Sequence, residues 1–304
     1  MSDLKNITIT VPATTGNVGP GFDTLGMAVE LFNTIKVSFN SKNLRIKNNG
    51  VDKEKYQGIA LKDNLIIEGI KSISPEFNIN RLSIESNNMI PLGGGLGSSA
   101  AALCAGLLIG NYIQEENCSM DQLNQKAIEL EGHPDNTTPC FFGGLTISIY
   151  EEQSRKWVSQ KIDIPKDLNI LVYVPNFSSN TNKSRKNLPN SIPRKDAIYN
   201  IGRAGLLINC FINNNFEMLK LATQDSLHQE TRLKEFPEIK SIMQAALSGG
   251  ALGSILSGSG PSIMVFSKGN EFTINYEIEE AARKHNLEGN IILTKPHNQG
   301  ILIK

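Results

Sequence analysis

The 304-residue chain has a single Trp, only four cysteines and no excess of charge of either sign. Thirty Lys and Arg offset thirty Asp and Glu, so the formal net charge is zero. Nucleic-acid binders usually carry a basic excess, which disfavours that class. Net charge also cannot steer a highly charged ligand from a distance, so any anionic ligand must be held by local features. Cys104, Cys118, Cys140 and Cys210 form no C-x-x-C pair, which argues against a disulfide framework and a zinc site. They read as reduced thiols of a cytoplasmic protein. A membrane-crossing helix needs about 20 apolar residues. The longest apolar run, Ala100 to Ile109, is half that. From Met1 the chain enters an alternating stretch with no signal-peptide pattern. No membrane role is expected.

What is present suits a globular protein. The hydrophobic fraction of 39% is enough for sizeable cores, and the length favours two domains. The stretch 151–168 turns charged and contains Pro165, so the expected division is 1–160 and 161–304. Ile7, Ile9 and Val11 alternate with polar residues, as do Ile35–Phe39, Leu44–Lys47 and Leu82–Ser86. The first three of these segments read as antiparallel strands. Asn64 suits the cap of a helix carrying Leu65, Ile66, Ile70 and Ile73. Ser119 and Gln122 form a capping-box pattern for a second helix, which Gly132 and Pro134 should stop. Strands are predicted over 144–150 and 169–174, then a long polar loop over 176–195. Helices near 196–213, 216–226, 235–247 and 276–286 alternate with strands near 251–257, 261–267, 290–294 and 299–303. This is an α+β pattern. His285 and His297 have no motif around them and read as surface residues.

The most informative segment runs Pro91-Leu92-Gly93-Gly94-Gly95-Leu96-Gly97-Ser98-Ser99-Ala100-Ala101. Four glycines in five residues let the backbone approach a ligand closely, and two serines then open a helix. Free N–H groups and a partial positive charge at such a helix start make a phosphate cradle without any basic side chain. No Gly-Lys-Ser/Thr triplet occurs, which excludes a Walker A loop. Counted from Gly93, the last glycine of a dinucleotide fingerprint is replaced by Ser98. A plain glycine-rich turn stays open on this loop alone.

With two further motifs the segment resembles the GHMP kinase family. Near the start stands Val11-Pro12-Ala13-Thr14-Thr15-Gly16-Asn17-Val18-Gly19-Pro20-Gly21-Phe22-Asp23. Near the end stands Ser257-Gly258-Ser259-Gly260-Pro261-Ser262. The three follow the family's order and spacing across nearly the whole chain. Asn17 followed by Gly-x-Gly-Phe-Asp, and His133-Pro134-Asp135-Asn136 followed by Pro139 and Gly143-Gly144, are similar to the family's homoserine kinases. Thr137-Thr138 departs from that pattern, and packing is expected to absorb the change.

The resemblance implies a two-domain fold: an ATP-binding domain like the second domain of ribosomal protein S5, then a ferredoxin-like domain. It implies ATP and Mg²⁺ as cofactors and L-homoserine as small-molecule substrate, in a step towards threonine. ATP would lie on Pro91, Gly93, Gly94, Gly95, Leu96, Gly97, Ser98, Ser99 and Ala100, with adenine near Asn64. Glu131 and Ser98 are the expected metal ligands, with Ser99 as the other hydroxyl. Asp23 would pair with the substrate ammonium, and Arg185 and Arg232 with its carboxylate, since a guanidinium binds carboxylate as a planar fork. Asn17, His133, Asn136, Gly258 and Gly260 complete the substrate site. Asn136, Asp135 and Arg232 are the expected catalytic residues, with Asn136 holding the reacting hydroxyl. The implied chemistry is direct attack by a well-placed hydroxyl. Mevalonate phosphorylation and a non-catalytic ligand sensor on the same fold stay open, and a homodimer is a family-level expectation.

Overall fold

The computed structural model describes residues 4–304 apart from 116, 179 and 180. Among the described residues eleven strands form two sheets. The first sheet has seven strands in the order β11-β1-β2-β4-β3, with β5 pairing β2 and β6 beside it. Its members are β1 (Ile7–Gly16), β2 (Leu25–Ser38), β3 (Arg45–Gly50), β4 (Ser83–Asn88), β5 (Leu145–Glu151), β6 (Lys156–Ile162) and β11 (Leu302–Ile303). The second is β10-β7-β9-β8, antiparallel throughout, from β7 (Asn169–Pro175), β8 (Gly253–Leu256), β9 (Ile263–Ser267) and β10 (Gly289–Thr294).

Ile7, Ile9 and Val11 point into the core as their alternation demands. The expectation of antiparallel pairing holds for β1 with β2 but fails for Leu44–Lys47. That segment, as β3, runs parallel to β4, with Ile46 opposite Ile84. A short polar edge strand carries no sequence mark of its partner's direction.

Short α1 (Lys53–Gln57) leads to α2 (Leu65–Ile73), and Asn64 accepts the N–H groups of Ile66 and Ile67 as its cap. Helix α3 (Ser98–Ile113) is buried on most of its surface, which explains its nearly continuous Ala, Gly and Leu composition. Gly69 and Gly106 bring the backbones of α2 and α3 into contact. The predicted capping box is present on α4 (Met120–Glu131): Ser119 and Gln122 satisfy each other's backbone. Gly132 closes this helix with φ +90°, but Pro134 does not act as a stop. Pro134 opens α5 (Pro134–Phe142), where its missing N–H costs nothing at the first position.

The long loop is also broken by structure. Helix α6 (Thr181–Lys186) lies inside it; a single polar turn offers no apolar spacing to read. Beyond it come α7 (Arg194–Ile212), α8 (Leu219–Ala222), α9 (Gln229–Leu233), α10 (Pro237–Ser248) and α11 (Glu271–Lys284). His297 is not a surface residue: it is 8% exposed, with its ring edge-on to Phe32. His285 is exposed at the end of α11.

One large core runs from β1, β2 and α3 through to Val172, Phe211 and Phe266 of the second half. A smaller core lies between α10, α11 and the second sheet, around Ile239, Ile242 and Ile274. The four cysteines are free thiols. Among the described residues no helix is long and apolar enough to cross a membrane.

Candidate active site

The glycine-rich loop joins β4 to α3, and its conformation explains its composition. Gly95 and Gly97 have φ of +80° and +67°. That region is costly for residues with a Cβ. A methyl group at Gly95 would meet the Ser257 carbonyl, and one at Gly97 the Thr14 hydroxyl. The loop is tied on both sides. Thr14 N–H donates to the Leu96 carbonyl at 3.1 Å, and Ser257 Oγ donates to the Gly95 carbonyl at 2.7 Å. The three motifs therefore meet at one place.

A pocket opens there. From the loop and the start of α3 it takes Gly93, Gly95, Gly97, Ser98 and Ser99. From the first motif it takes Asn17 and Asp23, and from the α4–α5 junction Glu131, His133, Asp135 and Asn136. The second half adds Arg185, Arg232, Gly258 and Ser259. Other predicted residues stand behind or beside it. Leu96 and Ala100 are buried beneath the loop. Pro91 and Gly94 line a neighbouring, more apolar cavity with Leu31 and Val174. Asn64 borders a separate hollow with Ile46 and Tyr56. Gly260 precedes a cis peptide to Pro261 in the turn that carries Gly258.

The α4–α5 junction holds a chain of hydrogen bonds. Thr14 Oγ1 donates to Asn136 Oδ1 at 3.0 Å, and Asn136 Nδ2 donates to Asp135 Oδ1 at 3.0 Å. The same Asp135 oxygen lies 2.6 Å from His133 Nδ1. Burial works against a charged His133 imidazole, but the Asp135 bond and the charges of Asp135, Glu131 and Asp23 outweigh it and raise its pKa above 6.5. Ser99 Oγ donates to Glu131 Oε1 at 2.7 Å, so a hydroxyl and a carboxylate stand together beside the start of α3. Among the described residues there is no group of three or more His, Cys, Asp or Glu side chains able to hold a metal.

The second half supplies two guanidiniums. Arg185 makes a two-pronged pair with Asp23, both bonds 2.7 Å, which raises the arginine's pKa. The two groups expected to grip opposite ends of one ligand are thus joined to each other. Arg232 is 4% exposed. Its Nη1 donates to the Gly258 carbonyl and to His228 Nδ1, both at 3.0 Å, while its Nε is buried without a partner. Burial, and then the charge of Arg185, lower the Arg232 pKa. The Gly258 carbonyl also accepts Asn17 Nδ2 at 3.1 Å.

No sequence motif marks His228. It is fully buried, with Nε2 2.8 Å from the Gly19 carbonyl. Nε2 therefore carries the hydrogen, and Nδ1 accepts from Arg232. Burial lowers its pKa, so the ring is neutral. Asp225 fixes the start of α9 by accepting the N–H groups of His228 and Gln229 at 2.8 and 2.7 Å. The available signal was spacing: residues four apart on a helix meet. Thr137 and Thr138, the departure from the family pattern, are fully buried, and Thr138 bonds to Asn124.

Comparison with known proteins gives the family. Residues 64–144 match the GHMP kinases N terminal domain, and residues 207–284 match the GHMP kinases C terminal domain. The homoserine kinase of Clostridium botulinum (strain Alaska E43 / Type E3) is 36% identical over 98% of this chain and 99% of its own. That of Petrotoga mobilis is 37% identical over 90% of this chain and 88% of its own. The crystal structure of homoserine kinase from Cytophaga hutchinsonii superposes with a TM-score of 0.85 at 27% identity, covering 100% of this chain and 98% of that one. The crystal structure of L. major mevalonate kinase shares the fold, with a TM-score of 0.72 at 14% identity, covering 96% of both chains. With its two-domain fold and glycine-rich loop, the chain belongs to the homoserine kinases of the GHMP family, a family of ATP-dependent small-molecule kinases.

Proposed function

We propose that this protein transfers the γ-phosphoryl group of ATP to the side-chain hydroxyl of L-homoserine, giving ADP and O-phospho-L-homoserine on the way to threonine. One observation carries the reading. Beside a phosphate cradle, the pocket holds a carboxylate, Asp23, and two guanidiniums, Arg185 and Arg232, the set an amino-acid zwitterion calls for. Mevalonate has no ammonium for Asp23 to meet.

In this reading the lobe built on the first sheet takes the nucleotide, and Arg185 and Arg232 from the second half take the amino acid's carboxylate. The loop amides and the start of α3 receive the phosphates. Glu131 and the hydroxyls of Ser98 and Ser99 are hard oxygen donors of the kind Mg²⁺ accepts, and the Ser99–Glu131 contact sets two of them together. These residues would hold the ion, which when bound neutralises phosphate charge. Asn136 holds the reacting hydroxyl. Asp135, already accepting from Asn136 and bonded to His133, is a positioning residue rather than a base. The hydroxyl attacks directly and loses its proton late, to the transferred group.

The test is coupled ADP release with Mg-ATP, screened over L-homoserine, mevalonate, galactose and shikimate. Turnover with L-homoserine above the others is expected. No turnover with L-homoserine sinks the assignment.

A further inference from the structure

Phe22 stands beside both guanidiniums of the pocket. The Arg185 guanidinium carbon lies 5.5 Å from the Phe22 ring centroid, and that of Arg232 5.6 Å. The His228 ring packs on it at 5.4 Å, tilted by 32°. Two like charges therefore share one aromatic ring. The electron-rich face of a phenyl ring attracts a guanidinium, which offsets part of their mutual repulsion.

The ring is held firmly. Asn17, Val18 and Asp23 around it have φ of +69°, +44° and +58°. Such values are unfavourable for residues with a side chain, above all for the branched Val18, and persist only where the surroundings enforce them. Asn17 Oδ1 accepts the Asp23 N–H at 3.0 Å, and the Asn17 carbonyl accepts the Gly21 N–H at 2.9 Å. His228 donates to Gly19 in the same loop. The loop thus sets the place of the ring, and the ring stands beside both arginines.

Arg232 is not satisfied in full. Arg232 keeps a buried Nε with no partner, although its Nη1 is bonded twice. Arg185 is held by Asp23, which fixes it on the Phe22 side of the pocket. A carboxylate is the small anion whose planar pair of oxygens can be shared between two such forks.

We propose that Phe22 is a specificity-determining residue: its ring, backed by His228, sets the spacing of Arg185 and Arg232 so that together they take one carboxylate. The proposal rests on the reading that these arginines receive the carboxylate of L-homoserine. Without the ring, the guanidiniums lose their common support and the carboxylate site loosens. The glycine-rich loop is tied to Thr14 and Ser257.

The experiment compares Phe22→Leu, Phe22→Met and Phe22→Tyr with the parent enzyme at saturating Mg-ATP. Each is assayed with L-homoserine and with 3-aminopropan-1-ol, which keeps the ammonium and the hydroxyl but lacks the carboxylate. Where 3-aminopropan-1-ol is not turned over, its inhibition constant is measured instead. Phe22→Leu and Phe22→Met should raise KM for L-homoserine roughly tenfold, the loss expected of two cation–ring contacts. kcat and KM for ATP should change by less than about threefold, and the 3-aminopropan-1-ol constants should not move. Phe22→Tyr, which restores a ring, should restore KM. An unchanged KM for L-homoserine in folded Phe22→Leu or Phe22→Met, or an equal loss on both compounds, overturns the proposal. Failure of the parent enzyme to use L-homoserine, or equal use of the two compounds by it, instead overturns the reading beneath it.

Discussion

The two walls of the pocket are built from opposite materials. The wall from the first half offers backbone amides and carboxylates: Asp23, Glu131 and Asp135, with no lysine or arginine among its lining residues. The wall from the second half offers Arg185 and Arg232. A net charge of zero hides this division. The difference teaches how a polyanion and a zwitterion can be told apart in one cleft. In the proposed reading phosphates would be held by amide direction, which depends on backbone shape. The amino acid would be held by side-chain charge, which depends on a few buried partners.

The contrast can be broken most severely at the backbone. Gly97→Val forces a side chain onto Thr14 at a φ of +67° and shifts the cradle. kcat/KM should fall on the order of 10²-fold or more, the usual result of a misplacement near an ångström. A fold intact by circular dichroism but with full activity would show that the loop does not need its shape. On the other wall, Arg232→Leu should raise KM for L-homoserine roughly 10- to 100-fold, since charged hydrogen bonds are involved. KM for ATP should stay unchanged; a matching rise would erase the division between the walls.

A smaller effect is expected at Asp135. If it only positions Asn136 and His133, Asp135→Asn should lower kcat about tenfold or less, whereas loss of a general base costs roughly 10²–10⁴. Single-turnover rates separate these outcomes. The smallest effect concerns stability against pH, where the walls should slope in opposite directions. His133 has a folded pKa above 6.5, so its contribution is fully present below 6.5 and fades as pH rises through the folded value. His228 has a folded pKa below 6.5, so the unfolded state takes up the proton first and stability falls as pH drops below 6.5. Urea unfolding from about pH 5 to pH 8 should therefore show His133→Gln destabilised mainly at acid pH. His228→Gln should flatten the acid slope. Parallel slopes for the two variants would contradict the assignment.

The glycine-rich turn before α3 was legible because four glycines in five residues have few other uses, and Ser119–Gln122 because capping is local chemistry. β6 was not: Lys156, Val158 and Gln160 are exposed on a strand paired at one side with β5, so no apolar alternation marks it. The first half of β2 failed for the opposite reason. Leu25 to Val29 are all buried, and a strand covered on both faces loses its period of two. Pro134 was ambiguous because the same residue ends one helix pattern and starts another. His297 and His228 look alike to the surface histidine His285 in isolation. Their burial comes from partners such as Phe32 and Gly19, far away in the chain. The Asp23–Arg185 pair spans 162 positions, and only folding brings it about.

The Gly258 carbonyl, which accepts both Asn17 and Arg232, also bears on the order of events in folding. Asn17 lies 241 positions before it. A contact of that span rewards the chain only after a long loop has closed, so it belongs to the late steps. Helices such as α3, whose bonds are local, form before it. Catalytic competence is then among the last properties to arrive on refolding, after far-ultraviolet helical signal has recovered. The pocket is a record of completed assembly: a chain that has placed both ends of this one bond has already built most of what lies between.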